Sequence, residues 1–453
     1  MQPIKQFRSA NASLWQSAVD QVIARKNAGA SAAAGLGITT QTVSRPDQAE
    51  PEIVQANEIA AAVDKGMIPS AAPPAAAVGI TDTVRFCSTA AFKLAEARVK
   101  AFFSGDDTEL NILKAQLDTP FAQCDPHWAQ VLEVYAASRI ADKTIPYRRH
   151  ANLSDFVIND RLPVNGTATL IADWGTGQDA AKQVLARLAA RNPDVVFHLG
   201  DVYYSGTQNE VQNYFYAIWQ STLGLPKIAW GGNPGDSPKG PATFHLAGNH
   251  DMYAGGQPYY TVIDMLGQPA SYFCLRNEHW QFIAIDTGLH DANPTQTGRA
   301  TWLEDSEVEW LKDKVNNAGG RKTILLSHHQ LFTAYEKIEG QAVNQKLLAQ
   351  LQDILPKLTV WFWGHEHNLV IYKPHLNVLA RCIGNGAFPV LPSELGAPDP
   401  TVPLNPVTLA KDQAGFFAHG YVNLKLDGPD AIVTYYQYDA ETRTESVLFT
   451  EQL

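Results

Sequence analysis

From about residue 167 to the C-terminus, short apolar runs of strand length alternate with longer segments in which apolar residues recur every three or four positions. Thr169-Leu170-Ile171-Ala172, Val195-Val196-Phe197, Thr243-Phe244-His245-Leu246-Ala247, Thr323-Ile324-Leu325-Leu326 and Val360-Trp361-Phe362-Trp363 read as buried strands. Helical spacing falls at 180–190, 209–219, 308–315 and 343–355. Residues 271–276 and 280–286 predict a pair of strands around the turn Asn277-Glu278-His279. Strands at 369–372 and 378–382 follow, and 421–426 with 431–436 predict a terminal hairpin.

The first third differs. Helical patterns at 13–26, 53–63, 90–103, 110–117 and 127–140 are broken by an Ala/Gly/Ser/Thr-rich stretch at 27–50 and by Ser70-Ala71-Ala72-Pro73-Pro74. The expected division is a mainly helical region at 1–150 without a catalytic pattern, then a catalytic domain at 151–453. Tyr147-Arg148-Arg149-His150 sits near the boundary. It reads as a solvated hinge, with an anion-binding lip as the functional alternative.

Five predicted strands end in polar residues suited to chemistry. The first ends in Asp173, before Trp174-Gly175, and the second in Gly200-Asp201-Val202-Tyr203-Tyr204. The third ends in Gly248-Asn249-His250-Asp251, the fourth in Ser327-His328-His329 and the fifth in Gly364-His365-Glu366-His367. Open α/β sheets place ligands at the carboxyl ends of their strands. Singly, each has a plain reading: Asp173 as a turn aspartate, Tyr204 as a packed aromatic, His365 and His367 as two residues sharing a strand face. In series they form a set of hard oxygen and imidazole donors suited to iron, zinc or manganese.

The order Asp, Gly-Asp-x-x-Tyr, Gly-Asn-His-Asp, strand-end His, Gly-His-x-His resembles the calcineurin-like metallophosphoesterase superfamily, and within it the purple acid phosphatases. The resemblance implies a four-layer αββα sandwich of two mixed sheets and two metal ions. Asp173, Asp201, Tyr204 and His367 would hold the first ion, with Asp201 bridging to a second held by Asn249, His328 and His365. His250 would contact the substrate phosphate, Asp251 would orient His250 by hydrogen bonding, and His329 would be a further phosphate contact. The wider superfamily opens with Asp-x-His, but here Gly175 takes the histidine's place. A tyrosine ligand in its stead favours Fe(III) in the first site, with Fe(II), Zn(II) or Mn(II) in the second. Ala172 and Leu325 depart from a common glycine and valine without touching the ligands. The implied activity is hydrolysis of phosphomonoesters by a metal-bound hydroxide, with a phosphodiesterase, for example on cyclic nucleotides, as the alternative.

Charge narrows the substrate. A net charge of −11 disfavours long nucleic acids and leaves a small phosphate ester. Hydrophobic content of 45% is that of a globular chain with a sizeable core. No apolar run is long enough to span a bilayer, and the N-terminus has no apolar signal core. The expected location is the cytoplasm, or a secreted or periplasmic one if a signal was removed. The four cysteines, Cys87, Cys124, Cys274 and Cys382, lack metal-ligand spacing and read as buried or free thiols. The apolar helix faces at 1–150 suggest a homo-oligomer through that region.

Overall fold

The strands predicted from apolar runs assemble into two sheets. A computed structural model of the chain describes residues 144–234, 240–294 and 298–453, with Thr108, Val134, Tyr135 and Ser138. Apart from those four residues and 144–150, the expected helical region lies outside the described residues, as do its oligomeric contact, Cys87 and Cys124; from 144 onward the described residues belong to one compact unit. Among the described residues no helix is long and apolar enough to cross a membrane.

The first sheet has seven strands in the order β1 (Val157–Ile158), β5 (Phe273–Arg276), β6 (Trp280–Ala284), β7 (Lys322–Leu326), β8 (Val360–Trp363), β10 (Ala380–Ile383) and β9 (Leu369–Ile371). The second has six in the order β13 (Thr444–Gln452), β12 (Asp430–Asp439), β11 (His419–Asp427), β2 (Thr167–Ile171), β3 (Val195–His198) and β4 (Ala242–His245). Both are mixed. β2, β3 and β4 run parallel and β11 joins β2 antiparallel, while β6, β7, β8 and β10 run parallel between antiparallel neighbours.

Strand periodicity explains the layering. Along β2 and β3, Ala168, Leu170, Val195 and Phe197 point between the sheets, where Phe197 stacks on Phe244 and Phe282. The alternate residues Ile171 and Val196 face an outer helical layer. That layer holds α1 (Asp179–Ala189), α4 (Gln257–Met265) and a helical run α2 over 208–223, whose middle, Val211–Tyr216, is π-helical. The short α3 (Asn249–Met252) lies between α2 and α4 in sequence. On the other outer face α5 (Asp305–Asn316) and α6 (Gln345–Leu351) pack Trp310, Leu311, Leu347 and Leu351 against the first sheet. The expected αββα sandwich is therefore the fold of the described chain. The β5–β6 pair forms as the sequence predicts, and the terminal hairpin gains a third strand, β13.

Two side-chain clusters tie elements across this frame. Arg148 makes a double hydrogen bond to Asp264 at 2.6 and 2.7 Å, Arg149 pairs with Glu304, and Tyr147 donates to Glu307 at 2.7 Å. The arginines of the basic cluster are thus paired with carboxylates of the same compact unit. Buried Arg381 on β10 pairs with Glu451 on β13, joining strands of different sheets. Phe197 stands at the centre of the inter-sheet core and is fully buried. Phe197→Ala is expected to cost about 3–5 kcal/mol, read as a lower unfolding midpoint in urea; a loss under 1 kcal/mol would contradict this packing.

Candidate metal centre

All five polar strand ends converge at one edge of the sandwich. Asp173, Asp201 and His365 adopt positive φ (54°, 76° and 67°) although none is glycine. Such conformations persist where surrounding structure enforces them, often at functional sites. Here each backbone turns sharply to aim a donor at a common centre.

Two donor clusters result. In the first, one nitrogen or oxygen each from Asp173, Asp201 and His367 lies within 4.8 Å of the others. Asp173 Oδ1 is 3.5 Å from His367 Nε2, and its Oδ2 accepts from the His365 N–H at 2.9 Å. In the second, His328, His329 and His365 gather in the same way. Asn249 Oδ1 sits 3.1 Å from His328 Nε2 and 3.2 Å from His365 Nδ1. The Asn249 amide nitrogen donates to Tyr253 at 2.6 Å, which fixes the carbonyl oxygen toward the histidines. His328 Nδ1 donates to the Leu199 carbonyl at 2.9 Å, so its Nε2 faces inward. Asp201 joins the clusters: it belongs to the first, and its Oδ2 lies 3.4 Å from His328 Nε2.

The tyrosine differs from the sequence expectation. Tyr203, not Tyr204, brings its phenol to the first cluster, donating to Asp173 Oδ1 at 3.0 Å with His367 Nε2 at 2.9 Å. The reason is local. Gly175 and Val202 form a parallel bridge, and the Tyr203 N–H donates to the Gly175 carbonyl at 3.0 Å, which fixes the register of the loop after β3. The Tyr204 backbone is engaged on both sides: its N–H donates to Glu210 at 2.6 Å, and its carbonyl accepts from His250 Nδ1 at 2.6 Å. Gly175 is required by this contact, since a Cβ there would lie 2.6 Å from the Asp201 carbonyl and 2.7 Å from Val202 Cα. The position that holds a ligand histidine in the wider superfamily has no room for a side chain here.

Asp251 also departs from its expected part. Its carboxylate does not hydrogen-bond His250. One oxygen accepts from the backbone N–H groups of Asp201 and Gly248, each at 2.9 Å, and the other faces His245 Nε2 at 3.2 Å. Asp251 therefore locks the second and third turns together. His250 is oriented by the Tyr204 carbonyl, and its backbone N–H donates to Asp201 Oδ1 at 3.0 Å. Gly248 allows that approach; a Cβ there would fall 2.1 Å from Asp201 Oδ1. His329 has its ring nitrogens engaged by Thr287 at 3.0 Å and Asp291 at 3.1 Å. Of the adjacent pair, His328 is the one whose nitrogen turns to Asn249 and Asp201.

Electrostatics separate these groups. Burial alone would raise the Asp201 carboxyl, but His328 and His250 outweigh it and hold it well below its ordinary value. Burial followed by the neighbouring imidazoles holds His329 and His365 low and neutral. Burial and the carboxylates of Asp173 and Asp201 hold the Tyr203 phenol well above its ordinary value. Among protein groups alone Tyr203 keeps its proton, and a cation beside it is what would release it. Two fully buried carboxylates, a phenol, an amide oxygen and three inward imidazoles are a donor set that fits two hard or borderline metal ions. Sequence reading passed over His198 and His245, two fully buried histidines on β3 and β4. Their signal was present as polar residues in apolar runs. Gly175→Ala is expected to destabilise the fold by about 1–3 kcal/mol through overpacking, measured by urea unfolding; wild-type stability would contradict the close approach of the Tyr203 loop.

Residues 166–369 match the family model of calcineurin-like phosphoesterases. A search of curated proteins gave no match. Among solved structures, a dimetal phosphatase from Danio rerio is 11% identical, the match covering 63% of this chain and 99% of that one at a TM-score of 0.41. GAP50, the anchor in the inner membrane complex of Plasmodium, is 14% identical over 64% of this chain and 88% of its own, at a TM-score of 0.42. A predicted phosphoesterase from Streptococcus pneumoniae is 11% identical over 64% and 99%, at a TM-score of 0.26. With two mixed sheets between helical layers and two donor clusters at their strand ends, the described chain has the α/β metallophosphoesterase fold, and its residues 166–369 are similar to the calcineurin-like phosphoesterases.

Proposed function

We propose that the chain is a binuclear metal-dependent phosphatase acting on small phosphomonoesters, of the purple acid phosphatase type. The observation that carries this reading is Asp201, one carboxylate shared between two donor clusters. Asp173, Asp201, Tyr203 and His367 would hold one ion, and Asp201, Asn249, His328 and His365 the other. When bound, the two ions would neutralise the phosphoryl oxygens and supply a water-derived nucleophile.

The chain's own groups complete the chemistry. The Tyr204 carbonyl can only accept, so His250 Nδ1 carries a proton. His250 Nε2 faces the centre, 3.9 Å from Asp201 Oδ2. As an imidazolium it would hold a second proton there, touch the phosphate and protonate the leaving alcohol. His329, held by Thr287 and Asp291, would line the phosphate's surroundings. The purple-type assignment is supported by the Tyr203 phenol between two carboxylates. A phenolate with two carboxylates and one imidazole is an anionic, hard set suited to Fe(III), with Fe(II), Zn(II) or Mn(II) in the amide and imidazole site.

Asp201→Asn is expected to lower metal content at both sites and nearly abolish hydrolysis, whereas His250→Ala keeps both ions and slows turnover about 10²–10⁴-fold. Elemental analysis with a panel of mono- and diesters tests this. Full occupancy with normal turnover in Asp201→Asn, or turnover of diesters alone by the wild type, would overturn the corresponding part. The iron-loaded protein should be violet or pink from tyrosinate-to-iron charge transfer. Tyr203→Phe should bleach that colour and Tyr204→Phe should not. A colourless, active iron protein would refute the purple-type assignment, and bleaching by Tyr204→Phe would refute the assignment of Tyr203.

A further inference from the structure

His198 and His245 lie where the strand pattern calls for apolar residues. They are register partners on the parallel strands β3 and β4, on the face that carries Val196 into the helical layer. Each is fully buried. Their surroundings are aromatic: the Phe215 ring is 4.5 Å from His245 and 5.2 Å from His198, Trp219 is 5.8 Å from His198, and Tyr259 is 5.2 Å from His245. Apolar residues would pack this layer without the desolvation cost of two imidazoles.

The polar atoms of the pair form one line. The Trp174 N–H donates to His198 Nε2 at 3.4 Å. His198 Nδ1 and His245 Nδ1 are 2.9 Å apart, and His245 Nε2 meets Asp251 Oδ1 at 3.2 Å. A backbone N–H can only donate, so His198 Nε2 accepts. In the neutral ring the proton then sits on Nδ1 and is given to His245 Nδ1. His245 keeps its own proton on Nε2 and gives it to Asp251. Every ring nitrogen has a partner with both imidazoles neutral. Burial, followed by the neighbouring His245, holds His198 in that uncharged form.

The two ends of the line carry its meaning. One is the backbone directly after Asp173. The other is Asp251, whose second oxygen holds the N–H groups of Asp201 and Gly248. Three strand-end turns, those of Asp173, Asp201 and Asn249-His250, are thus joined behind the donors. We propose that His198 and His245 are positioning residues, a buried relay in opposite neutral tautomers that fixes these three turns relative to one another. Among the described residues neither ring hydrogen-bonds a candidate metal donor. Their kinetic effect rests on the phosphatase reading above; the relay itself does not.

The test uses the full chain. Long-range ¹H–¹⁵N correlation on histidine-labelled protein should show His198 as the Nδ1–H tautomer and His245 as the Nε2–H tautomer, assigned by loss of signal in His198→Gln and His245→Gln. The same tautomer at each position, or an imidazolium at either, overturns the relay. His245→Leu should lower kcat about 10–100-fold at near-constant KM, the scale of lost support behind a metal site. His245→Gln, which restores a donor to Asp251, should recover most of the loss. Leu and Gln variants that both match the wild type, or that lose activity equally and in step with their thermal midpoints, overturn the positioning role. A wild-type protein that cleaves no ester would refute the phosphatase reading, while the tautomer measurement would still decide the relay.

Discussion

The site depends on one electrostatic constraint: Asp173 and Asp201 are buried carboxylates at the same strand edge. Among the described residues their ion-pair partners are histidines, His367 for Asp173 and His328 with His250 for Asp201. Imidazoles are weak counter-ions, because each gains charge only by taking up a proton. Two anions held out of water by such partners leave a demand for positive charge that metal ions would meet. The inward turn of Asn249, the tautomer of His328 and the approach of Tyr203 all answer the same demand.

The backbone is shaped to sustain that arrangement. Asp173, Asp201 and His365 take left-handed conformations, and glycines at 175 and 248 let neighbouring chain segments close to distances a side chain would forbid. Asp251 supplies the counterpart, converting its charge into two backbone hydrogen bonds that hold adjacent turns in place. Rigidity here comes from the turns behind the donors as much as from the donors themselves.

The fold and most of the candidate site were legible in the sequence because the strand ends share one pattern: a short continuous apolar run, then a turn carrying polar groups. Asp173, Asp201, Asn249, His328, His365 and His367 obey it and meet. Tyr203 escaped because the loop after β3 is past the strand, where spacing cannot say which of two adjacent phenols turns inward. The bridge between Gly175 and Val202 decides that, and it is a tertiary contact. Asp251 was paired with its sequence neighbour, whereas its partners are backbone groups and a histidine on β4. The edge strand β13 was missed since its side chains are largely polar and part-exposed, without a buried face to mark it.

The strand order carries a consequence for biosynthesis. β2, which leads to Asp173, has β3 on one side and β11 on the other, with Thr167 opposite Lys425 and Leu170 opposite Val422. Every candidate donor has left the ribosome long before β11 emerges, so the nascent chain holds its whole chemical complement beside an open strand edge. An unpaired edge invites association with other chains. The terminal hairpin, joined to β13 and through Glu451 to Arg381 on β10, thereby serves as the cap that ends this vulnerable interval. Loss of the chain beyond His367, the last candidate donor, would leave that strand edge uncovered.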